Sequence, residues 1–413
     1  MSVFDVAIAG AGPAGVSCAV ALVRRAPELA GRIVVFDRAR FPRAKPCGGG
    51  LTGHAEEAMA ALGLELTVES AAAPRACVRF GALERDVTLE RPVRVVRREE
   101  FDASLVAQAR ALGVDVREGA AVEQFRVEAD GVALTVGGVG GAGGQALRAR
   151  VLVGADGAGS SVRKLLRDQR RAGAPEAPRE TPIRLFRLEV PSRAAWPRDL
   201  MLYDFTPMLD GLRGYLWIFP VPGDRLNVGL MHYPSTPLSG AELTALLERH
   251  LRRFGVELDG AARGWPAWGY QPGAPVAGER LILCGDAAGI DALTGEGIAV
   301  AMEQGLVAAD AIATALDSGD FSFARYRRAL RRATVGRELA IDRWLARLLY
   351  RGDWRRWLSL VLFDEKMLGL YAARVSGSMV LADHKRSLVA ALARHLPRLG
   401  SRRRALDEAA APG

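Results

Sequence analysis

The chain has 413 residues, 49% hydrophobic and 25% charged, a globular balance with room for one large or two moderate domains. No run of 18 uncharged apolar residues occurs, which argues against a spanning helix, and four cysteines without a Cys-x-x-Cys pair or framework suit a reducing compartment. The net charge of +9 comes from the C-terminal end, where residues 325–413 hold 20 Lys and Arg against 8 Asp and Glu. No nucleic-acid module accompanies that charge, so the expected counterpart is an anionic membrane surface or an acidic protein, if the arginines are not simply a solvated helical face.

In chain order, an apolar strand ends in Gly10-Ala11-Gly12-Pro13-Ala14-Gly15, a helix follows, and Ile33-Val34-Val35-Phe36-Asp37 forms the next strand. In this G-x-G-x-x-G spacing Gly10 makes the tight turn, Gly12 admits a pyrophosphate and Gly15 allows close helix–strand packing. The helix N-terminus then faces the diphosphate. Asp37, 22 residues after Gly15, is placed to accept a hydrogen bond from an adenosine ribose. Because the first strand begins within a few residues, no signal peptide is expected, and the expected location is cytoplasmic, with peripheral membrane contact as a further expectation.

Arg38 to Leu51 reads as an extended loop, broken by Pro42 and Pro46 and ending in Cys47-Gly48-Gly49-Gly50. The glycines allow backbone contact with a flat or charged ligand. Cys47 beside them is a proton donor, a nucleophile or a filler. A helix is expected over 51–62, two strands over 74–96, and a helix over 102–112 capped by Asp102. Strands at 114–116 and 120–127 and a hairpin through Asp130-Gly131 follow, with Gly137 to Gly144 as a flexible tip. Val151 to Gly157 is a buried strand and turn, Ser160 starts a helix, and Asp168 to Glu180 is an expected domain crossing.

From 183 to 233 the period becomes two, giving four strands of an antiparallel sheet. Tyr215, Trp217 and Phe219 share one face of the third, a flat wall suited to a large apolar ligand or to core packing. After a helix over 241–254, Arg280 to Asp286 is again a buried strand and turn. Thr294-Gly295-Glu296-Gly297-Ile298 leads into a helix reaching Leu316, with Thr294 as its cap. Residues 321–400 read as several helices, in which Trp344, Trp354 and Trp357 alternate with arginines. The five histidines are scattered without ligand spacing, so no metal site is expected.

Three of these segments resemble the signatures of flavoproteins of the para-hydroxybenzoate hydroxylase type: Gly10 to Gly15, Gly154-Ala155-Asp156-Gly157 and Gly285-Asp286-Ala287-Ala288. Lys45-Pro46-Cys47-Gly48-Gly49-Gly50-Leu51 and Tyr215-x-Trp217-x-Phe219-Pro220 are similar to segments of the geranylgeranyl reductases within that superfamily. The resemblance covers about residues 1–330. It implies an α/β fold, with a Rossmann-like FAD-binding domain (1–72, 95–168, 278–320) interleaved with an antiparallel-sheet substrate domain (73–94, 169–277). C-terminal helices (321–413) follow.

The resemblance also implies roles. FAD contacts fall to Gly10, Gly12, Ala14, Gly15, Asp37 and Asp156 on the nucleotide side, with Val122 holding adenine through its backbone and Arg98 meeting the cofactor. Cys47, Gly48, Gly50, Gly285 and Gly295 are further implied FAD contacts, with Asp286 on the ribityl chain or pyrophosphate and Gly297 and Ile298 lending backbone N–H groups to the flavin ring. Tyr215, Trp217 and Phe219 form the substrate wall, and Cys47 is the catalytic candidate. The implied activity is saturation of carbon–carbon double bonds of an isoprenoid or similar apolar substrate, with NADPH or a ferredoxin as electron donor. A monooxygenase (hydroxylase or epoxidase), a halogenase and a flavin-bearing lipid-binding protein are the competing classes. The sequence departs from the reductase pattern at Met231 and Ala292, where that family has glycine and proline. The cysteine loop and the aromatic strand are expected on opposite sides of one flavin, with an oily slot between them.

Overall fold

The computed structural model describes residues 3–138, 144–171, 182–192, 196–395 and 399–410. Most of the glycine-rich tip and most of the expected domain crossing lie outside them.

Two eight-stranded sheets divide the strands. In the first, Leu281–Leu283, Gln145–Gly154, Val3–Ala9, Ile33–Asp37 and Asp115–Glu118 lie side by side and parallel. Their apolar runs are buried on both faces, the signature of a helix-covered parallel sheet. Register places Ala9 opposite Phe36 and Gly154, and Gly154 opposite Leu283. The three glycine signatures therefore leave adjacent strands at the same carboxyl edge, where ligands of open α/β sheets bind.

The second sheet runs Arg263–Ala267, Ile183–Pro191, Arg225–His232, Gly214–Val221, Leu200–Asp204, Ser70–Phe80, Leu83–Val96 and Gly50–Leu51. It is antiparallel except where Leu200–Asp204 pairs in parallel with Ser70–Phe80. Leu216 and Ile218 point into a satellite core with Leu243 and Leu247 of the helix Gly240–Arg252, while Tyr215, Trp217 and Phe219 join the main core on the other face.

Two helix starts differ from expectation. The helix predicted from Asp102 spans Arg98–Ala111, because Asp102 pairs back one turn to Arg98 instead of capping. Thr294 does not cap Ile298–Ser318. Gly297 holds the cap position, and the Thr294 hydroxyl bonds Asp291. Ile298–Ser318 is long and apolar enough by composition to cross a bilayer, yet 67% of its apolar window is buried inside the protein. It packs on Pro13–Arg25 so closely that a Cβ on Gly305 would lie 2.6 Å from the Ala14 carbonyl oxygen. Among the C-terminal helices, Trp354–Phe363 sets Trp354 edge-to-face against Phe80 at 5.8 Å, whereas Trp344 on Thr334–Arg351 is exposed.

Candidate active site

One cavity of about 590 Å³ runs from the carboxyl edge of the first sheet to the aromatic face of the second. Its nucleotide end is shaped by backbone sterics. Gly10 has φ +105, and a Cβ there would sit 2.2 Å from the Ala155 carbonyl oxygen. Gly15 would place one 1.9 Å from the Gly10 oxygen. Gly15 is the one predicted cofactor residue that does not line the cavity; it packs behind the loop. Around Gly12 only Arg43 Nη2 comes near, at 3.5 Å from the position of a Cβ. Pro13–Arg25 starts with Pro and no side-chain cap, and Ile298–Ser318 also starts without one, so two sets of free N–H groups are available to anionic atoms.

Asp37 accepts from the Ala11 and Ala39 N–H groups at 3.0 and 2.9 Å. Asp156 accepts from the Ser161 N–H and hydroxyl on one oxygen, while its other, buried oxygen has no partner among the described residues. Val122 lines the same end. These features fit a dinucleotide: two uncapped helix starts, glycines that no larger residue could replace, and a carboxylate oxygen left open.

Past them the cysteine loop is clamped to the second sheet. Gly49 accepts from the Val96 N–H at 2.9 Å and has φ +79; a Cβ would lie 2.2 Å from the Val96 oxygen. Gly50 continues the pairing opposite Val95. Asn227 donates to the carbonyls of Cys47 and Gly48 at 2.7 and 3.1 Å and accepts from Trp217 Nε1 at 3.0 Å. A Cβ on Gly48 would touch the Phe219 ring at 3.1 Å. The loop thus rests on the aromatic strand instead of facing it across an open slot, because the Asn227 amide binds the two together.

Around Cys47 the charges are buried and paired. The Gly49 N–H lies 3.4 Å from Cys47 Sγ, and the thiol also meets the Arg98 guanidinium. Arg98 forms a two-point pair with Asp102 at 2.8 Å, and Arg43 reaches the same carboxylate at 3.0 Å. Burial opposes the charge on Arg98, but Asp102 and Cys47 outweigh it and hold the guanidinium firmly protonated. Lys45 Nζ lies 3.4 Å from Asp286 and 4.2 Å from the Trp265 ring centre. Desolvation lowers its pKa, partly offset by Asp286.

The wall is continuous. Tyr215, Trp217 and Phe219 follow at 6.2 and 6.3 Å, and Tyr203 lies 5.5 and 5.2 Å from Tyr215 and Phe219. Trp217 lies over Gly229, where a Cβ would stand 2.3 Å from its ring. Opposite this end, Gly295, Gly297 and Ile298 line the cavity beside Glu296. Tyr215 donates to the Thr294 carbonyl, which fixes wall to loop. Met231, at the position where the reductase pattern has glycine, puts its sulfur 3.3 Å from where a Gly295 Cβ would lie, so it packs under the loop.

The family profile described as an FAD binding domain matches residues 3–180. A menaquinone reductase of Mycobacterium tuberculosis is 32% identical over 404 residues, covering 92% of each chain. A digeranylgeranylglycerophospholipid reductase of Methanopyrus kandleri is 28% identical over 77% of this chain and 83% of its own. The chain belongs to the family of FAD-dependent oxidoreductases that includes this menaquinone reductase. Its fold matches a geranylgeranyl bacteriochlorophyll reductase-like protein of Thermoplasma acidophilum with TM-score 0.74 at 20% identity, over 98% of this chain and 100% of that one. A flavin-dependent brominase shares the fold at TM-score 0.71 and 21% identity, over 95% of this chain and 100% of that one.

For a member of this family, several residues at the site carried no motif. Asn227 and Tyr203 come from strands read only as sheet, and Trp265 from a strand, Arg263–Ala267, that the sequence reading leaves out. Tyr371 and Val375, on the helix Glu365–Val375, close the cavity from the C-terminal region. Asn227 had one visible signal, an amide set between Leu226 and Val228 in a strand, where burial demands a partner.

Proposed function

We propose that this protein saturates carbon–carbon double bonds of an isoprenoid or similar apolar substrate. One observation carries the proposal: the Cys47 loop, the Tyr215–Trp217–Phe219 wall and the Gly295–Ile298 loop border a single cavity. The names of the menaquinone and digeranylgeranylglycerophospholipid reductases add support, since both specify a lipid substrate. Bound FAD, once reduced, supplies hydride from N5.

The chain does the rest. Gly10, Gly12, Ala14 and the Pro13 helix start hold the diphosphate, with Asp37 on the ribose. Gly297 and Ile298 offer backbone N–H groups to the ring. Tyr215, Trp217 and Phe219 keep an apolar chain flat and dry, so that proximity and desolvation lower the barrier. Cys47, fixed by Asn227 and Arg98, is the proposed catalytic contact at the reacting carbons. NADPH or a ferredoxin is the proposed electron source, the basic C-terminal helices suiting an acidic partner or anionic head groups.

Anaerobic, dithionite-reduced protein incubated with polyprenyl substrates tests the proposal. The expected product gains two hydrogens per double bond; unchanged lipid would refute it. Anaerobic bleaching of the flavin by NADPH or by reduced ferredoxin identifies the donor. Oxygen uptake coupled to product formation would instead favour a monooxygenase.

A further inference from the structure

On the outside of the C-terminal region an apolar groove of about 420 Å³ lies open to solvent. The helices Thr334–Arg351 and Lys385–His395 line it, and the buried ring of Tyr270 lies at its base. Arg337, Ile341 and Trp344 come from the first helix, Lys385, Val389 and Leu392 from the second. Each set has the spacing i, i+4, i+7, which is one face of a helix. Both helices therefore turn a stripe into the groove that is basic at its start and apolar after it. Trp344 is 44% exposed and Val389 62%. Single exposed apolar side chains are ordinary, but an indole and a branched chain sharing one open groove mark an interaction surface.

Arg331 borders this groove and also a neighbouring hollow of about 800 Å³. There Arg327, Arg328, Arg331 and Arg332 of the helix Tyr326–Arg332 stand together, and the carboxylate beside them is Glu279. None of the four makes an ion pair among the described residues, and neither does Lys385 on the groove's rim. Elsewhere on the surface arginines are matched, as in Arg25–Asp310, Arg75–Asp199 and Arg148–Glu128, and within the groove Arg337 is held by Asp383. The hollow thus keeps a block of unmatched positive charge beside exposed apolar side chains, while residues 1–324 are net negative.

An apolar groove ringed by free cations matches a layer that is anionic on its face and oily beneath. Indole rings favour the head-group region, and Arg and Lys lay their stems on apolar surface while their charges reach phosphates. A second copy of this chain would bring arginines against arginines across a two-fold interface. An acidic protein would answer the charges but would also need a protruding apolar ridge to fill the groove. We propose that this face seats the protein on an anionic lipid bilayer, with Trp344 and Val389 in the head-group layer and Arg327, Arg328, Arg331, Arg332 and Lys385 over the phosphates. The Tyr270 N–H donates to the Ile290 carbonyl at 2.8 Å, and Ile290 lines the central cavity, so the seated face and the cavity share one wall. The docking goes beyond the reductase reading and stands on this surface alone; a lipid substrate gives it a use.

Sedimentation of the FAD-bound full chain with vesicles, without substrate or turnover, tests the docking. The protein is expected to bind vesicles of phosphatidylcholine and phosphatidylglycerol in equal parts and to stay in solution with phosphatidylcholine alone. Raised salt should release it. Binding should fall about fivefold in each of Arg328→Ala and Arg332→Ala and about tenfold in Trp344→Ala, with flavin content equal to the wild type's. Brominated lipid should quench tryptophan fluorescence, and part of that quenching should be lost in Trp344→Phe. Equal binding to both vesicle types, or variants that bind as well as the wild type, overturns the docking face. A wild type that ignores both vesicles also overturns it, and an acidic ferredoxin bound less well by Arg328→Ala would then assign the face to the electron donor. Reduction of detergent-dispersed polyprenyl substrate should be the same in these variants as in the wild type. Absence of that reduction in the wild type refutes the proposed function instead, and the vesicle result then decides the docking by itself.

Discussion

The two ends of the cavity are built by different rules. The nucleotide end is local: Gly10 and Gly15 are required by contacts within or between adjacent strand–loop units, and their clashes are with backbone atoms. The substrate end is assembled from far along the chain. Asn227 grips a loop 180 residues away, and Arg374 grips Glu296 and two neighbouring acids from the C-terminal helices. A local site tolerates no change in size at its glycines, whereas a dispersed site can lose function stepwise while the cofactor stays bound.

The largest expected effect breaks the local end. Gly15→Val puts a branched side chain where even a Cβ meets the Gly10 oxygen at 1.9 Å. The flavin content of purified protein, read from its visible absorbance, should fall at least tenfold. Full retention of flavin would show that the loop yields more than its geometry suggests.

Next comes Glu303. Burial first, then Glu296, raises the pKa of Glu303 to about 8 from an ordinary value of 4.5. Below the lower value both folded and unfolded chains carry the proton, and no stability is lost. As pH rises toward 8 the unfolded chain ionises while the folded one cannot, which costs roughly 1.4 kcal/mol per unit. Glu303→Gln removes that loss. Its denaturant midpoint should exceed the wild type's at pH 8 and approach it at pH 4. A constant difference between the two pH values would mean that Glu303 is ionised in the folded protein.

A smaller effect is expected at Gly229→Ala. The new methyl would stand 2.2 Å from the Phe186 carbonyl oxygen and 2.3 Å from the Trp217 ring, so the neighbouring strand must give way and the indole is pushed off Asn227. An overpacked core site costs about 1–3 kcal/mol, so kcat/KM for lipid should fall 10- to 100-fold with flavin content near normal. Equal loss of flavin and turnover would join the two ends into one unit.

The same division explains what the sequence disclosed. The glycine signatures, Asp37 and the period-two face of Tyr215, Trp217 and Phe219 could be read because each follows from spacing within one or two elements. Asp102 and Thr294 do not act as helix caps because each side chain is turned to another partner: the Asp102 carboxylate accepts from Arg98, and the Thr294 hydroxyl donates to Asp291. Tyr371 and the Arg374 cluster had no readable pattern, and Asn227 showed an amide in need of a partner but not which one, since their roles arise only when the second sheet and the C-terminal helices meet the first sheet's edge. The cysteine loop was recognised, but its seat on the aromatic strand depends on one amide from a different strand.

That amide gives the smallest and most selective test. Asn227 spends its donors on the Cys47 and Gly48 carbonyls and its acceptor on Trp217. Asn227→Leu keeps the volume but leaves three polar groups short of one partner each; neutral hydrogen bonds contribute about 0.5–1.5 kcal/mol apiece. Asn227→Asp keeps the acceptor for Trp217 and turns oxygen lone pairs toward two carbonyls, so it should loosen the loop more than Leu does. Both variants should retain flavin, because neither the Gly10–Gly15 turn nor the two helix starts touch Asn227. Cys47 should react faster with a thiol reagent, Asp ahead of Leu, while kcat/KM drops by about tenfold. If flavin is lost in step with the gain in thiol reactivity, the loop belongs to the cofactor site and not to the substrate wall.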